Sequence, residues 1–188
     1  MSQYLRKKIE DFVPFDDVEA GAKKAFLQFI DACGEDIWHR DNLVGHVTSS
    51  CWVVNKDRTK VIMAYHNLYD SWAWLGGHAD GDKDTLYVSK KEAMEECGAE
   101  EVGVLSEDIM DISIQGVDGH FKKGKEVPTH LHFNVTYLLE VDENSELFVK
   151  EDENSGVKWI KNGDVIDSVS EEVMKKVYER LMDKVELG

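Results

Sequence analysis

Cysteine, proline and long apolar runs are scarce in this sequence, and each scarcity closes off a class of protein. The three cysteines, Cys33, Cys51 and Cys97, are odd in number and far apart. They form no CxxC pair, so neither a zinc ribbon nor a dithiol redox couple is encoded, and they read as reduced thiols of a cytoplasmic protein. With only two prolines, no rigid linker stands out. No apolar stretch approaches the ~18 residues of a membrane span. The opening Met1–Glu10 lacks the apolar run of a signal peptide. Basic charge is also short: 22 Lys and Arg stand against 38 Asp and Glu, a net charge of −16. Such a surface repels nucleic-acid backbones and anionic membranes, so neither is expected as a partner. An anionic ligand would need cations to bridge it to the chain.

What remains is the material of a globular fold: 42% hydrophobic residues among 32% charged ones. Residues 1–40 read as a helical extension. Tyr4, Leu5, Ile9 and Val13 recur near helical spacing, Pro14 interrupts, and Asp16 or Asp17 caps a second helix that carries Phe26, Phe29 and Ile30 to Gly34. Residues 41–188 read as the main domain. His46–Val54 and Thr59–His66 are rich in β-branched residues and flank a polar turn, which predicts a hairpin. A short apolar run, Trp72–Leu75, precedes Gly76 and Gly77. A helix follows from about Thr85 to Cys97, closed by Gly98. Further strands fit Ile112–Gln115, Leu131–Val141 and Val157–Ile160. A last helix runs from about Ser170 to Val185, capped by Ser168 or Ser170, with Val173, Val177, Leu181 and Val185 as its apolar stripe. Strands interleaved with helices predict an α/β (α+β) architecture: a mixed β-sheet sandwiched between helices, with the N-terminal helical extension added.

The 85–97 helix carries the chemistry. At ~100° per residue, Leu86, Lys90, Ala93 and Cys97 fall on one side, with Tyr87 and Met94 beside them. Glu92, Glu95 and Glu96 fall opposite. Like charges at i, i+3 and i+4 repel each other, and a divalent cation with a preference for carboxylate oxygens removes the conflict. A run of glutamates alone is usually a solvated face. The strand, the glycine turn and the acidic loop Asp80–Asp84 just upstream make the arrangement more specific.

The segment from Gly77 to Ala99 resembles the Nudix box, Gx5Ex7REUxEExGU with U aliphatic: both end glycines, the Glu92-x-x-Glu95-Glu96 core and the total spacing match. The resemblance implies a Nudix-like fold and a pyrophosphohydrolase. It implies that Glu92, Glu95, Glu96 and the carbonyl of Gly77 hold Mg²⁺ or Mn²⁺, and that Glu95 acts as a further ligand or as the base. The implied partner is a small-molecule diphosphate, by default a nucleoside diphosphate linked to another moiety. A homodimer is left open. Two positions depart from the pattern, Lys83 for Glu and Lys91 for Arg. The supporting ion pair of the family cannot form between two lysines, which leaves Asp82 or Asp84 to take the acidic role beside Lys91. Glu126 and Glu153 are candidate bases outside the box, and each is otherwise a surface residue.

His130 and His132 alternate on one strand and share a face. Such an HxH pair either ligates a transition metal or forms two partly buried, hydrogen-bonded histidines near the pocket, and the Nudix resemblance adds a substrate contact as a third role. His78 is a phosphate contact or a loop-packing residue. Tyr69, Trp72 and Trp74 either stack on a base or belong to the core or its rim. Phe121–Lys125 is a basic island that closes over phosphates or forms a solvated hairpin tip. Two rival readings remain. An isopentenyl-diphosphate isomerase would use Cys51 and a glutamate, and a non-catalytic Nudix-like binding or regulatory module would follow from the changes at Lys83 and Lys91.

Overall fold

A computed structural model of the protein describes residues 2–122, 124–149 and 154–187. The chain opens with helices α1 (Ser2–Asp11) and α2 (Asp17–Cys33). Pro14, which has no backbone N–H, lies in the break between them. Asp16 caps α2 by accepting the N–H of Glu19 at 2.7 Å, and Gly34, at φ 57°, closes it. Leu5, Ile9, Phe12, Phe26, Phe29 and Ile30 are buried, and a 3-10 turn, Gly34–Trp38, adds Ile37 and Trp38. Phe29 stacks on Phe133 with ring centroids 3.9 Å apart. Residues 5–38 therefore share one apolar core with the sheet.

The sheet is organised around β1 (Gly45–Val54), buried along its whole length. It is followed by β2 (Lys60–His66), β3 (Ser71–Ala73) and β4 (Leu75–His78), then α3 (Thr85–Cys97). Next come β5 (Gly103–Val104), β6 (Asp111–Val117), β7 (His120–Lys122), β8 (Lys125–Val127), β9 (His130–Glu140) and β10 (Asn154–Lys161), and the chain ends with α4 (Val165–Ser168) and α5 (Glu172–Leu187). β1 runs parallel to β9 in unbroken register from Gly45↔Leu131 to Val54↔Glu140. A parallel pair needs a long crossover, and α3 lies within it. The other edge of β1 is divided. Thr48–Cys51 pair with β4, and the expected β1–β2 hairpin is paired only at Val54↔Val61. β2 goes on to β10 and β3, β9 goes on to β6 and β5, and β7–β8 form a separate hairpin.

Alternation along β1 and β9 divides their side chains between two faces. Val47, Cys51 and Val53, with Phe133, Val135, Tyr137 and Leu139, join the core that holds α1, α2 and the Ala93–Cys97 stripe of α3. Trp52 and Val54 join a second core with α5. On this second face the N-terminal part of the two strands is polar: His46, Thr48, Ser50, His130, His132, Asn134 and Thr136. Helices thus cover both faces of a mixed sheet, as expected.

Two features of α5 differ from the sequence reading. Val173 is 74% exposed, and Met174, Val177, Tyr178, Leu181 and Val185 make the buried face. Residues spaced strictly by four drift ~40° per step around a helix, so Val173 has rotated off the stripe that ends at Val185. Neither expected serine caps the helix. Ser168 donates to the carbonyl of Asp164 and Ser170 to that of Asp70.

A buried ionic cluster ties the two ends of the chain together. Arg180 on α5 makes two bonds to Asp111 (2.7 and 3.2 Å) and one to Asp16 (3.3 Å). Lys184 reaches Glu19 on α2 and the carbonyl of Met110. Burial and the neighbouring Asp111 push Glu19 up to about 7. Asp111 goes below the usual carboxylate range, because the charge-assisted bonds from Arg180 outweigh its burial.

Candidate active site

α3 is fixed at both ends by its own sequence. Asp84 accepts the N–H of Tyr87 at 3.0 Å as N-cap, and Asp82 accepts the N–H of Asp84 at 3.0 Å. Gly98, at φ 71° in the left-handed region, returns its N–H to Met94 at 2.9 Å. The helix lies close on β1 and β4 because the contacting residues are small: Ser89, Ala93 and Cys97, with Val88 beside them. The expected stripe is corrected here. Tyr87 is 56% exposed and Met94 lies at the margin, since large side chains would hold the helix off the sheet. Ser49 donates to the carbonyl of Thr85 at 2.6 Å, and the Cys51 thiol faces the carbonyls of Leu75 and Ser89 at 3.4 and 3.5 Å.

This docking brings the three glutamates to the double glycine. Glu96 is only 8% exposed; it accepts the N–H of Gly76 at 2.8 Å and the amide of Asn154 at 2.9 Å. Glu92 lies against Gly77, where an added Cβ would stand 2.6 Å from its carboxyl carbon. Glu95 is the outermost of the three. Lys91 stands 3.9 Å from Glu92 and 3.6 Å from Glu95. Three carboxylates on one helix, backed by a glycine with no side chain in the way, form a cradle suited to a hard divalent cation. The donor set fits the metal that the box pattern implies.

The acidic support expected for Lys91 is placed differently. Asp82 and Asp84 serve the helix cap, and Asp84 lies seven residues, about 10 Å of helix, from Lys91. Lys83 bonds to Glu35 instead. The box lysines are therefore served by separate carboxylates: Lys83 by the 3-10 turn, Lys91 by the glutamates of its own helix.

On the opposite face of β4, His78 points to the polar strip. Its Nε2 is 3.1 Å from the Nε2 of His132, which is 3.3 Å from the Nε2 of His130. His130 Nδ1 stands 2.8 Å from the carbonyl of Pro128. His46, opposite His132 in the β1–β9 register, completes the group. Burial, then the neighbouring His130, takes His46 down to about 4, outweighing the nearby Asn42 backbone. Burial, then His46, takes His132 to about 3. Thr48 and Ser50 both donate to Asn134 Oδ1 at 2.9 Å, and Asn134 passes a bond to Thr136. His46 and Asn154 were not singled out in the sequence; only strand pairing brings them to these sites.

The other candidates lie elsewhere. Trp74 packs edge-on to Tyr178, and the Trp74 backbone N–H donates to the Tyr178 hydroxyl at 3.2 Å. Trp72 is covered by Lys158, 4.1 Å from its ring. Tyr69 lies beside His66. Cys51 is fully buried beneath α3, and burial drives its thiol far above the ordinary range. A thiol held this way is not available to protonate a substrate alkene. Glu126 is exposed on β8, and Glu153 lies outside the described residues. The basic island forms the β7–β8 hairpin, with Phe121 exposed, and Lys123 falls outside the described residues. No helix among the described residues is long and apolar enough to cross a membrane.

No family model matches the sequence, and no curated protein matches it. The structure does have relatives. It is similar to a C. elegans Ap4A hydrolase, at TM-score 0.55 and 15% identity over 76% of this chain and 98% of that one. It is similar to the E. coli dihydroneopterin triphosphate pyrophosphohydrolase, at TM-score 0.54 and 12% identity over 73% and 94%. It is also similar to RenU, a Nudix hydrolase of M. smegmatis, at TM-score 0.54 and 14% identity over 76% and 88%. Identities this low speak for the fold.

Proposed function

We propose, from the premise that this chain has the Nudix fold, that it is a metal-dependent pyrophosphohydrolase that cleaves a diphosphate linkage in a small molecule, a nucleoside diphosphate linked to another moiety being the first substrate class to test. The observation that carries this reading is the seating of Glu92 against Gly77 while Glu96 is bonded to Gly76. A helix that used its glutamates only for solubility would leave them in water. Here one is nine-tenths buried, and another occupies the space that a side chain on the strand would fill.

Glu92, Glu95, Glu96 and the Gly77 carbonyl would hold Mg²⁺ or Mn²⁺. A cation bound there neutralises phosphate charge and makes a bound water more acidic. The chain itself supplies position. The Gly76 N–H and the Asn154 amide fix the Glu96 carboxylate. The caps at Asp84 and Gly98 fix the helix. Lys91 offsets part of the negative charge until a cation arrives. The outer position of Glu95 suits it to accept a proton from water. In a chain of net charge −16, a bridging cation is also what lets an anionic substrate approach.

The test is a panel of diphosphate compounds, nucleotide and non-nucleotide, assayed for phosphate-containing products with and without Mg²⁺ or Mn²⁺. Metal-dependent product from any member supports the reading. Binding without product points to a ligand-binding module instead, and isomerised isopentenyl diphosphate to the isomerase.

A further inference from the structure

We propose that His46, His130 and His132, with His78 as a fourth ligand, form a binding site for a divalent transition-metal ion of the zinc type, on the face of the sheet away from α3. The four residues are spread over the sequence, and three adjacent strands bring them together. Thr48 on β1 pairs with His78 on β4, and His46 pairs with His132 on β9. The two-residue period adds His130 beside His132 and keeps His46 on the face of Thr48.

Three observations point to a cation. The first is spacing. Zinc binds imidazole at about 2.0–2.1 Å in tetrahedral sites, so two ligand nitrogens should lie about 3.3 Å apart. The Nε2–Nε2 separations here are 3.1 Å for His78–His132 and 3.3 Å for His130–His132. Ligand atoms of His46, His130 and His132 lie within 4.8 Å of one another.

The second is hydrogen bonding. His130 Nδ1 faces the Pro128 carbonyl, an acceptor, so in the neutral ring that nitrogen carries the proton and Nε2 offers a lone pair. His132 Nε2 meets two imidazole nitrogens at once, and a neutral ring has one proton or one lone pair there, not both. Hydrogen bonds between neutral rings therefore supply at most one proton at His132 Nε2 for two contacts, so the bond is either shared between them or made to one alone. A cation satisfies both, and the bond to Pro128 is the outer contact that orients a ligating histidine.

The third is His46. It is 96% buried, and neither ring nitrogen makes a well-formed hydrogen bond among the described residues, the Asn42 backbone lying near without completing one. An imidazole buried without partners is costly unless something absent from the polypeptide completes it.

The chemistry of the ligands selects the ion. Three or four imidazoles with no carboxylate among them favour Zn²⁺, Ni²⁺ or Co²⁺ over Mg²⁺ or Ca²⁺. Among the described residues, Arg40 and Asp80, paired with each other at 2.6 Å, are charged groups whose fields reach the site, and the His120 ring stands beyond His130. Gly77 and His78 are neighbours on β4 with opposite facing, so the two metal chemistries occupy opposite faces of one strand. The histidine site does not depend on the diphosphate reading.

The experiment uses the full chain without an affinity tag, stripped of metal by chelator, then titrated with Co²⁺ and Zn²⁺. The first equivalent should bind at the histidines, ahead of any at the carboxylates, and cobalt there should give the intense visible bands of a tetrahedral nitrogen site. Glu92→Gln should keep those bands, and the His130→Gln/His132→Gln pair should lose them, with zinc affinity reduced by about 100-fold or more. X-ray absorption at the zinc edge of the wild-type chain decides the matter even if the double variant does not fold. A shell of three or four imidazole nitrogens supports the site. An oxygen-dominated shell, bands lost in Glu92→Gln, or no stoichiometric zinc overturns it.

Discussion

A Cβ on Gly77 would stand 2.6 Å from the carboxyl carbon of Glu92. The glycine is thus the space into which a glutamate of α3 is folded. Gly77→Ala displaces the far end of a flexible side chain, so we expect stability to change little and turnover to fall by about 100-fold, the effect of misplacing a reacting group by about an ångström. Gly76→Ala should behave in the opposite way. Its Cβ would meet the Ser50 backbone at 2.5 Å, at φ 155°, and the β1–β4 pairing would suffer first. Thermal denaturation beside steady-state assays separates the two. Equal loss of stability in both variants would contradict this account.

Lys91 stands 3.6–3.9 Å from two of the carboxylates that would hold the cation. As a positive charge in the cluster it competes with the metal. Lys91→Met should lower the Mg²⁺ concentration for half-maximal activity by about threefold, while kcat falls as Glu92 and Glu95 lose a tether. A rise in the Mg²⁺ requirement would make Lys91 a support of metal binding instead of a competitor.

Glu19 titrates at about 7 against an ordinary 4.5, so between those values the folded chain holds a proton that the unfolded chain has lost. A raised carboxyl pKa means that stability falls as pH rises through this window. Replacing Glu19 by Gln removes that slope. Urea unfolding at pH 5 and pH 8 should show wild type losing up to about 3 kcal/mol more than the variant over the interval. The buried histidines titrate in both proteins and cancel in the difference. Parallel pH profiles would show that Glu19 is ionised throughout.

Arg180 and Asp111 are both buried, so removing one strands the other. Arg180→Met should destabilise by about 3–5 kcal/mol, and adding Asp111→Asn should restore part of the loss. Chemical denaturation of the double-mutant cycle measures the coupling. Additive effects would mean that the two charges do not interact.

The sequence yields these elements unevenly, for physical reasons. Helix ends were legible because caps are local: Asp16, Gly34 and Gly98 stand where the chain itself needs them. The Glu92–Glu96 cluster was legible because its spacing and its glycines lie in one continuous segment. His78, His130 and His132 were legible singly as candidates, but their meeting with His46 was not, because 32 residues separate His46 from His78 and 52 separate His78 from His130 in the numbering. Only the antiparallel β1–β4 and parallel β1–β9 registers together join them. The Arg180 cluster was hidden in the same way, with partners at residues 16, 19 and 111. The burial of Glu96 was missed because a helical wheel shows direction around the axis and not how closely small residues let the helix approach.

The helices that open the chain were read as an extension, and the structure gives them a share of the main core. Phe29 lies parallel to Phe133 with centroids 3.9 Å apart, Phe26 meets the same ring at 5.4 Å, and Phe133 sits on β9 beside the central strand. Removing residues 1–34 would bare Phe133, Val135 and Ile112 and strand the Asp111–Arg180 pair beside the lost Glu19. We expect that truncation to give insoluble protein. Phe29→Ala is the milder test: it should cost about 3–5 kcal/mol by leaving a cavity against Phe133. Because β9 also carries His130 and His132, the loosening should raise amide exchange along β9 before it reaches α3. A truncated chain that stays soluble, with an unchanged exchange pattern along β9, would show that the first two helices are dispensable to the core.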